Sequence, residues 1–418
     1  RTSGSSDVVF GLELRALVSG PKEEDEEPDG DRETWLELLN TGEESVSLEG
    51  WRLSSGVGYE FGEGDSIGPG EHLVIAADRS TFELQHPGVR VLGDFSGRLS
   101  GRSDRIVLRD RVGNVVDEVR YYDDKPWPVY ADGGGTSLEL RDPRSDNESA
   151  GAWEDSNEGL KTDWETYSYR EVARANVGPN RWREFCLGLL RGGEVLVDDI
   201  SVIEDPGGSN RQLISNGDFQ SGSSGWRLLG NHGHSEVVDD PDDPGNRVLH
   251  LFATGATEHM HNHVETTLAG GAGVTNGRTY EISFRARWLA GSHQVHTRLY
   301  FNRCPRTVLV SRPATSGTPG APNSRRVPNA GPSLRKLSHL PVTPGPADSV
   351  VVSVEARDPD GIGEVRLRYS VEGGAWREAG MNRSGGALYS GTIPSQAGSR
   401  TVQFYVEATD ELGAIGQW

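Results

Sequence analysis

Apolar residues occur along this chain in short runs, and glycine, asparagine, aspartate or proline stand between most of them. Residues 365–371 alternate apolar and polar side chains, which is the period of a strand with one buried face. Residues 106–108 form a brief apolar run of the kind that fills a sandwich core. Repeated short strands at this spacing predict an all-β protein made of β-sandwiches.

Composition supports this pattern and sets the number of domains. The 55 glycines and 22 prolines among 418 residues disfavour helices and suit tight turns. At roughly 150 residues per domain the length allows about three domains. Eight prolines between positions 313 and 346 predict an extended, stiff linker. We therefore divide the chain into a first sandwich (1–157), a second sandwich (158–310), a Pro-rich linker (311–348) and a third sandwich (349–418).

Charge limits the partners that this chain can bind. Asp plus Glu number 63 against 42 Lys plus Arg, a net charge of −21, which argues against nucleic acid as a partner. The most acidic stretch, residues 22–33, is interpreted as a solvated loop. No apolar run approaches the ~20 residues of a membrane-spanning helix. The chain opens at Arg1 without Met or a signal segment, so we expect a fragment of a longer protein.

The two cysteines, Cys186 and Cys304, are too few for a disulfide framework. They allow a single disulfide at most, or two separate buried thiols. The compartment therefore cannot be assigned from the cysteines, and the composition carries no sign of the oligomeric state.

The first region carries a series of motifs in a definite order. They are Trp35-Leu36-Glu37-Leu38-Leu39-Asn40-Thr41-Gly42, Leu48-Glu49-Gly50-Trp51-Arg52-Leu53, Ile67-Gly68-Pro69-Gly70-Glu71, residues 104–110, residues 117–121 and residues 126–140. Together they resemble the lamin tail domain from about residue 8 to residue 156. The resemblance implies an immunoglobulin-like sandwich, of a kind that in bacteria occurs in large extracellular or surface proteins.

Residue type and alternation predict which side chains of this region are buried. Trp35 and Trp51 are expected in the core because of their large apolar area. Glu37 and Glu139 alternate with apolar neighbours and are expected to face solvent. We expect no catalytic pair from these two carboxylates, because nothing in the sequence brings them together in a pocket.

The middle region presents its motifs in an unusual order. Residues 182–202 resemble the closing strands of a carbohydrate-binding-module jelly roll, whereas Asn216-Gly217-Asp218-Phe219 and Trp226 resemble its opening. Either a first jelly roll has lost its opening strands, or one jelly roll is circularly permuted. We favour a permuted jelly roll, because residues 160–209 hold too few strands to close a sandwich alone. Pairing of residues 194–202 with later strands is the expected consequence.

Histidines are concentrated in the middle region. His259, His261 and His263 alternate, so on a strand they would share one face, where they could ligate a transition metal or simply line a polar surface. A concave face carrying these histidines with Trp288 or Tyr300 could instead bind a glycan, which is the usual role of the modules that the region resembles. We expect the glycan to be bound by these five residues.

Jelly-roll modules of this type often hold a structural calcium ion, and the resemblance implies a site here. The opening Asn-Gly-Asp segment and the closing Asp-Asp pair would supply Asp218 and Asp199. Ca²⁺ takes six to eight oxygen ligands, which carboxylates and carbonyls provide. Strand alternation would place Asp198 and Asp199 on opposite faces, so we expect only one of the pair at such a site.

The last region resembles an immunoglobulin/fibronectin-III-like module, and we expect it to be truncated, with a short or absent last strand. The order of the three modules resembles that of large bacterial proteins that often continue into a spore-coat-protein-H-type kinase domain. Such a kinase would lie beyond residue 418, because the chain contains no kinase, hydrolase-elbow or zincin motif.

These observations predict a non-enzymatic, extracellular or cell-surface segment that binds glycans or a cell-surface polymer. One alternative is a structural spacer for a downstream catalytic domain. A second alternative is a metal-dependent enzyme built on His259, His261 and His263.

Overall fold

The computed structural model describes residues 8–11, 34–131, 133–174, 183–257, 259–398 and 400–418, the first of these ranges for the backbone alone. Nearly all regular structure in these residues is strand, and the predicted all-β class is confirmed. The predicted acidic loop, residues 22–33, lies outside the described residues. Within the described part of the chain, no helix has the length and apolar character needed to cross a membrane.

The chain forms two compact units. One unit holds the described residues before 133, residues 137–156 and the described residues from 317 onward. The other holds residues 133–136 and 157–316. The first unit contains two sandwiches, and the second contains one.

The first sandwich is built from short strands and one short helix, α1 (Arg79–Gln85). Its strands are β1 (Val8–Gly11), β2 (Trp35–Asn40), β3 (Val46–Ser47), β4 (Arg52–Ser54), β5 (Val57–Glu60), β6 (Ser66–Ile67), β7 (His72–Ala76), β8 (Val91–Gly93), β9 (Ser96–Gly97), β10 (Ser103–Arg109), β11 (Val115–Tyr122), β12 (Leu138–Leu140) and β13 (Trp153–Asp155). The main sheets have the orders β1-β2-β7-β8 and β11-β10-β4-β5-β9. Trp35 and Trp51 are buried as predicted, in two adjoining clusters of apolar side chains.

The two carboxylates predicted to face solvent are buried instead. Glu37 is 1% exposed and Glu139 is 0% exposed. Glu139 accepts hydrogen bonds from the hydroxyls of Thr318 (3.1 Å) and Ser324 (2.6 Å) and from the backbone N–H of Arg325 (3.1 Å). Alternation correctly turned this carboxylate away from the apolar core, but a distant segment of the chain covers that outer face.

The same segment also covers Glu37. The backbone N–H of Gly320 donates to Oε1 of Glu37, while Nδ1 of His72 lies 3.0 Å from Oε2. Residues 317–326, which we call the covering segment, thus place polar groups over both carboxylates. The predicted linker is therefore not a free spacer in this part of the chain.

The third sandwich begins inside the predicted linker. Its strands are β25 (Ser333–Leu340), β26 (Val350–Arg357), β27 (Ile362–Val371), β28 (Arg377–Gly380), β29 (Asn382–Gly385), β30 (Leu388–Ile393), β31 (Val402–Asp410) and the short β32 (Ile415–Gln417). The sheets have the orders β25-β26-β30-β29 and β28-β27-β31-β32. Pro332 and Pro341 flank β25 without interrupting it, and β25 is an edge strand, where proline is tolerated. The last module thus begins near residue 333 and not at residue 349.

The second unit is a single jelly roll. Its strands are β14 (Glu165–Val172), β15 (Glu184–Leu189), β16 (Gly193–Glu204), β17 (Arg211–Gln212), β18 (Trp226–Leu228), β19 (Glu236–Asp239), β20 (Arg247–Ala253), β21 (Val264–Thr267), β22 (Thr279–Gly291), β23 (Gln294–Leu299) and β24 (Arg303–Leu309). One sheet has the order β14-β22-β16-β20-β19, and the other has the order β18-β21-β15-β23-β24.

Strands from before and after residue 210 share both sheets of the jelly roll. β16 pairs antiparallel with β20 and β22, and β15 pairs antiparallel with β21 and β23. One apolar cluster fills the space between the sheets. The early strands therefore complete the later ones, which is the consequence expected of one permuted jelly roll. Both cysteines lie buried here as free thiols, so the disulfide alternative is not realised.

Candidate functional site

The outer surface of the jelly-roll sheet with the order β18-β21-β15-β23-β24 carries a row of polar side chains. Across the strands, Arg227 of β18 is the register partner of Glu265 of β21. Glu265 is in turn the register partner of Cys186 of β15, and Cys186 that of Arg298 of β23. Paired residues of antiparallel strands project from the same side of a sheet. We call this row, together with His263 and Tyr300 beside it, the polar face.

Glu265 is the centre of the polar face. Its Oε1 accepts from Nε of Arg227 at 2.7 Å, and its Oε2 lies 3.1 Å from Nε2 of His263 and 4.0 Å from Sγ of Cys186. The hydrogen bond from His263, helped by Arg227 and opposed by burial, lowers the pKa of Glu265 to about 2. Burial raises the pKa of the Cys186 thiol to about 12. At neutral pH the face therefore presents a carboxylate beside a neutral thiol.

The three alternating histidines do not form the predicted row on a strand. His259 and His261 are exposed in a turn, whereas His263 is buried directly before β21 begins at Val264. The turn is held against Gly230, which has φ +57° and where an added Cβ would lie 2.0 Å from the Asn262 side chain. The tertiary contact of this turn thus overrides the local strand pattern.

Tyr300 lies beside the polar row but offers little free ring surface. Its residue is mostly buried, and its hydroxyl is 4.0 Å from the sulfur of Met260. The guanidinium carbon of Arg298 stands 5.9 Å from the centre of the Tyr300 ring. Arg298 also donates to the carbonyl oxygen of Met260 at 3.2 Å. The histidine-containing turn is thereby tied to this edge of the polar face.

Trp288 is not a surface residue, and the prediction that it lines a binding face is wrong. It is 0% exposed, belongs to the core cluster and lies on β22 of the opposite sheet. Its indole Nε1 donates to the carbonyl of Gly291 at 3.1 Å. The alternation of β22 turns the ring inward because a large aromatic surface is most stable in the core.

His232 lies buried beneath the polar face, hydrogen-bonded to the backbone of β15, and is not part of that face. It is fully buried, and its Nε2 accepts from the backbone N–H of Leu189 at 2.9 Å. Its Nδ1 lies 2.6 Å from Oδ1 of Asn231 and therefore carries the proton. Burial and, secondly, the nearby His263 lower the pKa of His232 to about 4. His232 is thus a neutral structural histidine at physiological pH.

Sequence reasoning did not select Arg227, Glu265, Cys186 or Arg298 as site residues. The signal was present in β15, where Phe185 and Leu187 enter the core and the intervening Cys186 must face outward. The strand partners of Cys186 depend on the register between distant segments. That register follows from the fold and not from local pattern.

A second cluster, on the other sheet, contains one of the predicted calcium ligands. Arg285 contacts Asp198 (2.7 Å) and Asp199 (3.1 Å), with Asp240 at 3.6 Å. A register shift after Asp198, with Asp199 at φ +51°, lets both carboxylates meet the same guanidinium. The prediction that these two residues point to opposite faces is therefore wrong. Asp218 is exposed and lies close enough to help raise the pKa of Asp199, after burial and Asp198.

Two parts of the chain match known families. Residues 20–123 match the family model of the Lamin Tail Domain, and residues 211–302 match that of a carbohydrate binding domain. Both are non-catalytic kinds of domain, and neither is a kinase. A search of curated proteins found no match.

Several solved structures resemble the chain at low similarity. A DUF4785 family protein from Legionella pneumophila is 8% identical to this chain, with a TM-score of 0.18. The alignment covers 62% of this chain and 60% of the Legionella protein. A bacterial ice-binding adhesin is 10% identical over 92% of this chain and 87% of its own, with a TM-score of 0.16. The chain thus spans 60% of the Legionella protein, and TM-scores of this size support no conclusion.

Proposed function

Because residues 211–302 match a carbohydrate binding domain and carry most of the polar face, we propose that the jelly roll binds glycans there. The chain is then a non-enzymatic binding or adhesion segment that acts outside the cell or at its surface. The observation that carries the proposal is the coincidence of the matched residues with Arg227, His263, Glu265, Arg298 and Tyr300. The lamin tail domain and the last sandwich serve as its supporting modules.

The chemistry of the face suits sugar hydroxyls. Arg227 and Arg298 offer planar arrays of N–H donors, and the ionised Glu265 offers acceptor oxygens between them. Exposed Met260, beside the buried Tyr300 ring, supplies apolar surface at the edge, where the C–H groups of a sugar ring can pack. This division of polar centre and apolar rim is the kind that fixes the orientation of a small polar ligand.

The proposal is tested with the full chain on a glycan array, followed by calorimetry with the best ligand. Replacing both Arg227 and Arg298 with Ala should weaken binding at least about 100-fold, because each charged hydrogen bond contributes roughly 1.5–3 kcal/mol. Arg170→Ala is the matched control, since this arginine pairs with Glu281 on the opposite sheet and should leave affinity unchanged.

Fluorescently labelled chain should also stain the surface of intact source cells, and the double variant should not. Absence of any glycan binding at millimolar ligand would contradict the proposal and leave the spacer as the better account. Equal binding by the double variant and the wild type would remove the polar face from the proposal.

We also propose that a structural calcium ion is held near Asp198, Asp199 and Asp218. Asp198 is buried and its Oδ1 has no hydrogen-bond partner, which fits an oxygen aimed at a cation. Calcium should raise the melting temperature of the full chain relative to chelator, because an ion that binds only the folded state stabilises it. Asp218→Asn should abolish this increase, while the control Asp243→Asn should keep it. A melting temperature that ignores calcium would refute the site.

A further inference from the structure

Three side chains of different ligand type converge within the polar face. The thiol of Cys186, the imidazole of His263 and the carboxylate of Glu265 each place one ligand atom within 4.8 Å of the others. Among the described residues this is the one group of His, Cys, Asp and Glu side chains with such geometry. We propose that these three residues bind a divalent transition metal, with zinc as the best-fitting ion.

The distances between the ligand atoms suit a tetrahedral ion. Zinc bonds to sulfur at about 2.3 Å and to nitrogen or oxygen at about 2.0–2.2 Å, so tetrahedral ligand atoms lie roughly 3.3–3.6 Å apart. Nε2 of His263 is 3.1 Å from Oε2 of Glu265, and Sγ of Cys186 is 4.0 Å from that oxygen. The two separations fall on either side of the tetrahedral value, and small side-chain rotations bring both to it.

Strand pairing places two of the three ligands, and the third directly precedes one of these strands. Cys186 of β15 and Glu265 of β21 are register partners, so their side chains project together from the sheet. His263 is two residues before Glu265, the spacing that returns an extended chain to the same side. Cys186 and His263 are both buried, and a site shielded from water strengthens the attraction between an ion and its ligands.

Arg227 orients the carboxylate for this role. Its Nε holds Oε1 of Glu265 at 2.7 Å, which leaves Oε2 directed at Cys186 and His263. Hydrogen bonds that fix a ligand in this way commonly contribute to metal affinity. The Cys–His–Glu set offers sulfur, nitrogen and oxygen, which zinc accepts together, whereas calcium and magnesium prefer oxygen alone.

Metal binding changes which ring nitrogen of His263 carries the proton. Nε2 of His263 faces a carboxylate and carries the proton in the metal-free protein, so metal binding transfers the ring proton to Nδ1. Nη2 of Arg298 lies 3.5 Å from that Nδ1. Because a guanidinium donates but cannot accept a hydrogen bond, Arg298 loses its interaction with the protonated Nδ1 and keeps its hydrogen bond to the carbonyl oxygen of Met260. Cys186 releases its proton to solvent, and its thiolate together with the Glu265 carboxylate balances the two charges of the ion.

The test uses Co²⁺ as a spectroscopic substitute for zinc, with the full chain purified without a histidine tag and without glycan. One equivalent of Co²⁺ should produce a thiolate-to-cobalt charge-transfer band, and one equivalent of Zn²⁺ should remove it. Cys186→Ser should abolish the band and weaken zinc binding by more than about 100-fold, since even removal of an outer partner of a ligand costs about 10–100-fold. Because no glycan is present, the outcome is independent of the proposed sugar binding.

Two controls separate this site from other thiols and histidines. Cys304→Ser removes the second buried thiol and should retain the band. The double variant His259→Asn/His261→Asn removes the exposed histidine pair, whose rings are 5.1 Å apart, and should also retain it. Loss of the band in either control, or its persistence in Cys186→Ser, would overturn the proposal.

A measurement on the wild-type protein covers the case in which Cys186→Ser fails to fold. X-ray absorption of the zinc-loaded chain should detect one sulfur neighbour together with nitrogen and oxygen neighbours. A shell of nitrogen and oxygen alone would rule out Cys186 as a ligand.

Discussion

Replacing Glu139 with Ala should lower the free energy of unfolding of the first sandwich by about 3 kcal/mol, because three hydrogen-bond donors around this buried carboxylate lose their acceptor. Those donors are the hydroxyls of Thr318 and Ser324 and the backbone N–H of Arg325. The covering segment should then open more often. Hydrogen exchange of its amides, measured by mass spectrometry on the full chain, should accelerate by about 100-fold.

The matched control for this variant is Glu154→Ala. Glu154 is the register partner of Glu139 across β12 and β13, but its side chain is partly exposed and forms two solvent-accessible ion pairs, with Arg141 at 3.2 Å and with Arg325 of the covering segment at 3.8 Å. Its loss should cost no more than about 1 kcal/mol and accelerate exchange of the covering segment far less than Glu139→Ala does. Equal exchange in both variants would show that Glu139 does not hold the covering segment.

Replacing Trp288 with Ala should destabilise the jelly roll by about 3–5 kcal/mol, the usual cost of deleting a buried aromatic side chain. The ring is completely buried and packs within the core between the two sheets, where no neighbour can fill the space it leaves. Thermal unfolding should therefore show an earlier transition for this unit. Glycan affinity, measured at a temperature where the variant is still folded, should not change.

Trp376→Ala provides the comparison for a large exposed aromatic side chain. Trp376 is 53% exposed on the third sandwich, so its removal should change stability by less than about 1 kcal/mol. If Trp288→Ala instead removed sugar binding with little loss of stability, Trp288 would act as a binding platform, contrary to its buried position.

Strand positions were the part of the fold that local pattern predicted well. The runs around residues 35–40, 106–108 and 194–202 all lie in strands, because an alternating or compact apolar run has few other ways to bury its side chains. The odd order of the jelly-roll motifs also pointed to shared sheets, since a few isolated strands cannot bury a core. Because each short strand must bury its own apolar side chains, the pattern that predicts the strand is present in that segment's own sequence.

Predictions of burial and ligand position failed where distant segments meet. Glu139 is polar in an alternating strand, and only the covering segment, about 180 residues later in the chain, decides that it is buried. His259 and His261 lie in a turn because contacts with the segment at Gly230 compete with strand formation. Local pattern contains no information about either partner.

The candidate site shows the same division between local and distant information. His263 and Tyr300 were chosen from residue type, and both lie at the polar face, whereas Trp288 has the same aromatic character but belongs to the core. Cys186 and Glu265 each looked unremarkable in their own segments. Their convergence follows from antiparallel pairing between β15 and β21, which is set by the packing of the whole jelly roll.

The amino-acid order alone was enough to establish an all-β chain, its three sandwich modules and the two family resemblances. Each of these depends on turn residues and side-chain alternation within a few neighbouring positions. The covered carboxylates, the early start of the last sandwich and the Cys186–His263–Glu265 cluster required the folded chain. They depend on sheet register and on contacts between segments that are far apart in the sequence. These contacts form because the whole core buries its apolar surface together, which no single segment can do alone.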